Sequence, residues 1–181
     1  MSLQRLEAEL QQLESGDRLR QLLQLQGPQA PRIRLDGRDW LAFCSNDYLG
    51  LANDARIVEA LQRGLHAMGA GAGASHLVTG HFAAHDQLER SLAAFVGLPR
   101  ALLFGTGYLA NLGLITALTG PDDVILSDAL NHASLIDGMR LSRARVERYA
   151  HADVDALGAA LQAAGGRERF VVTESIFSMD G

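Results

Sequence analysis

Ala101-Leu102-Leu103-Phe104-Gly105-Thr106-Gly107-Tyr108-Leu109-Ala110-Asn111 reads as a short apolar strand that turns through glycines into a helix. The first N–H groups of a helix have no partner inside it, and glycines at the turn let an anion approach them closely. A phosphorylated ligand is therefore expected here. The chain then forms a second apolar strand, Val124-Ile125-Leu126-Ser127-Asp128, and places Asn131-His132-Ala133-Ser134 where the next helix begins. In an open α/β sheet such a position lies at the carboxyl ends of the strands, where ligands gather. His132 is thus set beside the phosphate turn, and its imidazole can stack on a heteroaromatic ring.

Outward from this turn, the pattern predicts a helix from about Ala84 to Val96 before it and a helix from about Tyr108 to Leu118 after it. Further helices are expected near His132 to Leu141 and from Val154 to Ala164, with strands near Arg145 to Tyr149 and from Phe170 to Glu174. Apolar strands alternating with amphipathic helices indicate a parallel sheet covered on both faces. Toward the amino terminus, Leu3, Leu6, Leu10, Leu13, Leu19, Leu22 and Leu23 describe an amphipathic helix broken or bent near Ser15-Gly16-Asp17. Arg32 to Phe43 reads as a hairpin with Asp36-Gly37 at its turn. A helix from about Asp54 to Met68 carries Ile57, Val58, Leu61 and Leu65 on one face and runs into the loop Gly69-Ala70-Gly71-Ala72-Gly73-Ala74. The expected division is residues 1–45, a helix and small hairpin lobe, and 46–181, the first part of a larger cofactor-binding domain.

The glycine turn admits other readings. Gly105-x-Gly107-x-x-Ala110 also fits a dinucleotide fingerprint, with Asp128 at about the distance of a ribose-binding acid, as in a nicotinamide or flavin enzyme. A purely structural reading has Asn131 capping the helix and His132 pointing to solvent. His81 and His85 could share a helical face, yet the glutamate of a metalloprotease motif is missing and the sequence offers no evident third ligand, so no metal site is assigned. His66, His76 and His151 read as surface or packing residues. Ser178 leaves the last strand at its ligand-gathering end, either as a hydrogen-bond donor for a ligand or as an ordinary turn serine before Asp-Gly.

Composition narrows the classes. The chain of 181 residues is 48% apolar and 20% charged, ordinary for a globular protein, and its net charge of −5 shows no basic stripe that would support nucleic-acid binding. No apolar run approaches the roughly 20 residues that cross a bilayer, and the first residues lack the apolar core of a signal peptide, so a cytoplasmic setting without membrane contact is expected. The lone Cys44 can make no internal disulfide and is expected to pack in its apolar stretch. All 16 basic residues are arginine, so no side chain here can form a Schiff base. The sequence ends directly after a strand and turn, which leads to the expectation of a fragment.

Five segments taken in order, Ser45-Asn46-Asp47-Tyr48-Leu49-Gly50-Leu51, Ala74 to His81, Gly105 to Asn111, Leu130 to Ser134 and Val171 to Gly181, resemble the α-oxoamine synthases. The resemblance covers the chain from about residue 40 onward. It implies an α/β protein of the aspartate-aminotransferase type, fold type I, with a mostly parallel sheet flanked by helices and incomplete here. It also implies a pyridoxal 5'-phosphate enzyme that works as a homodimer with active sites at the subunit interface. In that family the main chain of Gly107 and Tyr108 would bind the cofactor phosphate, His132 would stack on the pyridine ring and help hold the amino acid, and Ser178 would hydrogen-bond the cofactor. Arg20 would match a substrate-carboxylate arginine, and Asn46 a polar residue lining the site. The implied reaction is a decarboxylative condensation of L-alanine with pimeloyl-CoA or its carrier-protein thioester, a step toward biotin. Relatives that join glycine or serine to other acyl-CoA substrates share several of these motifs. The family's cofactor-bearing lysine, its pyridine-pairing aspartate and its second histidine would all fall after Gly181, so this stretch alone is expected to be inactive. A non-catalytic binding or assembly piece is the third reading, beside the nicotinamide enzyme.

Overall fold

The computed structural model describes residues 3–178; Met179, Asp180 and Gly181, which close the motif carrying Ser178, lie outside the described residues. The chain divides into two compact units, one ending at Gly80 and one beginning at His81.

In the first unit, helix α1 spans Leu3–Ser15 and is broken where the sequence places the interruption, but Leu19, Leu22 and Leu23 beyond it do not resume a helix as their spacing predicts. Asp17 adopts a left-handed φ of 52°, and the N–H groups of Arg18 and Leu19 both fold back onto the Leu13 carbonyl. The leucines beyond therefore lose the helical register. Strands β1 (Arg32–Leu35) and β2 (Arg38–Leu41) form the expected antiparallel hairpin. Its turn residues Asp36 and Gly37 both have positive φ, the conformation that matches a two-residue turn to strand twist. Helix α2 (Ala55–Met68) is capped by the Asp54 side chain, which accepts from the Arg56 N–H. Its stripe of Ile57, Val58, Leu61 and Leu65 is present but exposed. Among the described residues of this unit no apolar side chain is buried. Cys44, expected to pack, is accordingly exposed, since there is no buried core to receive it.

The second unit holds α3 (Ala83–Val96), α4 (Gly107–Leu118), β3 (Val124–Asp128), α5 (Ala133–Ser142), β4 (Arg145–Tyr149), α6 (Val154–Ala163) and β5 (Arg169–Val172). The three strands form a parallel sheet in the order β4-β3-β5. Every residue of β3 is buried, as a central strand covered on both faces requires. Its side chains alternate. Val124 and Leu126 join Tyr149 and Ala164 beneath Ala156, Leu157, Ala160 and Leu161 of α6. Ile125 faces the other way, into a cluster with Ile115 of α4 and Met139 of α5. Each such aliphatic side chain contributes about 1.5–3 kcal/mol on full burial. Gly138 serves the α4–α5 contact by its lack of a side chain, because a Cβ there would lie 3.1 Å from Ile115 Cδ1 and 3.2 Å from the Asn111 carbonyl oxygen.

Two strand expectations fail. Ala101–Phe104 is not a strand: the Leu103 N–H donates to Glu89 Oε1 at 3.0 Å instead of to a neighbouring strand. β5 ends at Val172 instead of Glu174, because the Val172 carbonyl leaves the ladder to accept from the Asn131 side chain. Among the described residues no helix is long and apolar enough to cross a membrane.

Candidate functional site

The start of α4 is an N–H cradle. Thr106 caps it, its hydroxyl oxygen accepting from the Leu109 N–H at 3.1 Å and its carbonyl from the Ala110 N–H at 3.1 Å. That leaves the N–H groups of Gly107 and Tyr108 as first-turn donors without a partner inside the helix. A Cβ built on Gly105 or Gly107 would meet no atom within 4 Å, so the approach to these donors is open. Neither glycine has a left-handed φ, so the backbone itself does not require them. Open donors at a helix start fit a phosphate.

The start of α5 stands alongside. His132 is its cap residue, and the ring Nδ1 accepts from the Ser134 N–H at 3.2 Å. The cap is therefore His132 itself and not Asn131, against the purely structural reading, while the His132 side chain stays exposed. Asn111 of α4 donates its side-chain amide to Ser134 Oγ at 2.9 Å, and Tyr108 donates its hydroxyl to Asp137, so two polar bonds join the amino-terminal halves of both helices. The hydrogen bond to Asp137, with smaller contributions from desolvation and the charge of Asp137, raises the Tyr108 phenol above the ordinary tyrosine value.

Behind the ring, Asn131 is buried and donates to Ser127 Oγ at 3.0 Å and to the Val172 carbonyl at 2.7 Å. Glu174, just past β5, accepts the His132 main-chain N–H on Oε1. The exits of β3 and β5 are thereby tied together at the carboxyl end of the sheet. Ser178 follows on the same exit from β5 and is exposed. Of the residues singled out in the sequence, the structure brings Gly107, Tyr108 and His132 into one neighbourhood through the α4–α5 bonds. Arg20 and Asn46 belong to the first unit and are exposed there. The segment around Asn46 is shaped by Asp47, whose carboxylate accepts from the Leu51 N–H at 2.8 Å and the Ala52 N–H at 3.2 Å.

Asp128 is fully committed. It is buried, and its carboxylate accepts from the Leu130 N–H at 2.8 Å, the Ala152 N–H at 3.0 Å and His151 Nδ1 at 2.9 Å. Burial acts to raise its pKa, but the Ala152 and Leu130 N–H groups and His151 more than offset it, and the carboxyl is held below the usual range. A carboxylate occupied in this way is a poor ribose ligand, which weakens the dinucleotide reading. His151 also meets Phe177 edge to face at 4.4 Å, so it is a packing residue, one of the two expectations for it, and its bond to Asp128 adds a polar role. Ligand atoms of His81, Asp86 and Glu89 come within 4.8 Å of one another, but Arg90 pairs with Asp86 at 2.5 Å and Glu89 holds the Leu103 N–H.

Sequence reasoning missed Asn111, Ser134 and Glu174. All three lie inside the five family-like segments, and for Ser134 the position two residues after His132 at a helix start was the available signal. Glu174 carries no local signal, because its partner is far away along the chain.

The aminotransferase class I and II family matches residues 38–181 of this chain. An 8-amino-7-oxononanoate synthase from Nitrosomonas europaea is 59% identical over 157 residues, covering 87% of this chain and 41% of the relative. One from Aromatoleum aromaticum is 56% identical over all 181 residues, which is 47% of its own length. The chain thus spans about half the length of the known relatives it matches. Among solved structures, a serine palmitoyltransferase from S. paucimobilis with a bound PLP–myriocin aldimine superposes with a TM-score of 0.87 at 30% identity, covering 96% of this chain and 44% of that one.

Proposed function

The chain belongs to the aminotransferase class I and II family, and from that premise we propose that the protein carrying this sequence is a pyridoxal-phosphate-dependent acyltransferase. It condenses L-alanine with pimeloyl-CoA or the pimeloyl carrier-protein thioester, with loss of carbon dioxide, to give 8-amino-7-oxononanoate in biotin biosynthesis. The observation that carries this reading is the high identity to synthases of that name along nearly the whole chain. The geometry is compatible with it: an open pair of N–H donors at Gly107 and Tyr108 beside the exposed imidazole of His132, which caps α5.

In this proposal the Gly107 and Tyr108 N–H groups hold the cofactor phosphate, supported by the positive end of the α4 dipole. His132 supplies a stacking face for the cofactor ring and a polar contact for the amino acid. Ser178 donates a hydrogen bond to the cofactor. Arg20 binds the substrate carboxylate, and Asn46 lines the substrate path. When bound, pyridoxal phosphate supplies an electron sink for negative charge at the amino-acid α-carbon. The active protein is proposed to be a cytoplasmic homodimer. Residues 1–45 would form a small amino-terminal lobe, and 46–181 the first part of the cofactor domain.

A second reading, another α-oxoamine synthase that joins serine or glycine to a different acyl-CoA, is favoured only by the structural likeness to serine palmitoyltransferase. The deciding experiment uses the full-length protein. It is expected to acquire a visible absorption band with pyridoxal phosphate and to release carbon dioxide and 8-amino-7-oxononanoate from L-alanine and a pimeloyl thioester, as read by mass spectrometry. Turnover of serine or glycine in place of alanine would favour the second reading, and tight nicotinamide binding without the visible band would overturn both.

A further inference from the structure

The contacts of the His132 ring determine which of its nitrogens carries the proton. Nδ1 lies 3.2 Å from the Ser134 main-chain nitrogen and 2.8 Å from Ser134 Oγ. A main-chain N–H can only donate, so across 3.2 Å it favours a lone pair on the Nδ1 it faces. The serine hydroxyl agrees. Its oxygen accepts from the Asn111 side-chain amide at 2.9 Å, which leaves its own hydrogen for Nδ1. Ser134 is 1% exposed, so water has little access to compete for this arrangement. Glu174 holds the main-chain N–H of the same histidine and fixes the backbone that carries the ring.

We propose that Ser134 and Asn111 are positioning residues that fix His132 in the tautomer with its proton on Nε2, so that the exposed side of the ring offers a hydrogen-bond donor to an oxygen of the amino-acid substrate or cofactor. The role of the donor rests on the function proposed above; the tautomer itself does not. A neutral imidazole that could swap tautomers would present an acceptor part of the time, facing the oxygen with a lone pair. Two donors converging on Nδ1 remove that state.

The test is a long-range proton–nitrogen NMR correlation on the full-length protein labelled with ¹⁵N-histidine, recorded without cofactor and at alkaline pH, where the rings are neutral. His132, assigned by the signal lost in His132→Asn, is expected to show an unprotonated Nδ1 and a protonated Nε2. A protonated Nδ1 in the wild-type protein would overturn the proposal without any variant being needed. Ser134→Ala is expected to shift the His132 pattern toward a tautomer mixture and to weaken pyridoxal-phosphate or L-alanine binding roughly three- to tenfold, the range of one lost hydrogen bond. Ser134→Thr, which keeps the hydroxyl, should restore both. Asn111→Ala should shift the pattern in the same direction as Ser134→Ala. An unmoved tautomer in both alanine variants would show that neither residue sets it. If the tautomer is as stated but the protein binds no pyridoxal phosphate, the functional reading fails and the positioning of the ring stands; if the cofactor binds and Nδ1 is protonated, the reverse holds.

Discussion

The side-chain amide of Asn131 donates to the main-chain carbonyl of Val172 across 2.7 Å, joining the exit of the central strand β3 to the last residue of β5. This bond ends the β3–β5 ladder and sends the following segment, with Glu174, back toward His132. The amide also donates to Ser127 Oγ, so one buried side chain ties together two of the loops that leave the sheet.

Asn131→Ala should therefore strand the Val172 carbonyl and remove a partner of Ser127 in a buried place. A loss of about 1–3 kcal/mol in denaturant unfolding of the full-length protein is expected. Asn131→Asp keeps the size but turns an acceptor toward two oxygens, and should be at least as damaging. Wild-type stability in both variants would mean that the sheet exit is held by other contacts.

His132→Ala and His132→Asn should separate two functions of one residue. Alanine removes both the cap and the ring, at about 1 kcal/mol of stability for the cap. Asparagine is a good capping residue and should keep stability near wild type while losing the stacking face, which for an aromatic pair is worth about 0.5–1.5 kcal/mol. Titration with pyridoxal phosphate should show weakened binding in both variants. Unchanged affinity in His132→Asn would reduce the residue to a cap.

Gly107→Ala should leave the fold intact, since the new Cβ meets nothing within 4 Å and no left-handed φ is involved. The exchange is expected to raise helix stability slightly, by up to about 1 kcal/mol. Cofactor affinity should fall nonetheless, because the methyl group occupies the space through which a phosphate reaches the N–H groups. Calorimetry for stability and absorbance titration for affinity are expected to move in opposite directions.

The Asp128 carboxyl is depressed in the folded chain, so its contribution to stability is fully present above the unfolded carboxylate value of about 3.9 and is lost as pH falls through the lower folded value. Asp128→Asn should be less stable than wild type at neutral pH. The gap should narrow as pH falls below about 4, when wild type loses the same ionised partner. Parallel unfolding curves across that window would mean that the His151 and N–H contacts do not favour the charged form.

Tyr108 titrates in the opposite sense. Its phenol is raised by the bond to Asp137, so the bonded neutral form persists above the ordinary tyrosine value of about 10 and its stabilising effect is lost only as pH rises further. Ultraviolet difference titration against Tyr108→Phe is expected to place this phenolate late, and Asp137→Asn should bring it earlier. Cofactor binding should survive Tyr108→Phe, because the phosphate donor is the main-chain N–H.

Much of this was legible locally. Periodicity placed α2 through α6, β3 and β4 to within a residue or two, and the Asp36-Gly37 turn was written in residue type. The glycine turn and the histidine at the next helix start marked the site because each is a short-range pattern with its own chemistry. Two local readings went too far. The leucines after Ser15 keep a helical spacing, but Asp17 takes the chain out of the helix; the run from Ala101 to Phe104 has strand composition but gives the Leu103 N–H to a glutamate. The sequence by itself thus determined the order of elements apart from the strand expected at Ala101–Phe104 and the helix expected past Ser15, together with the family motifs and the absence of lysine. Only the tertiary structure decided that Asn131 holds Val172, that Glu174 holds the His132 backbone and that Asp128 is spent on His151 and two N–H groups. Hydrophobic period and turn chemistry are set by neighbours along the chain, whereas the bonds of Asn131 to Val172, of His132 to Glu174 and of Asp128 to His151 and Ala152 join residues 23 to 42 positions apart and form only after β3, β4 and β5 have been brought side by side.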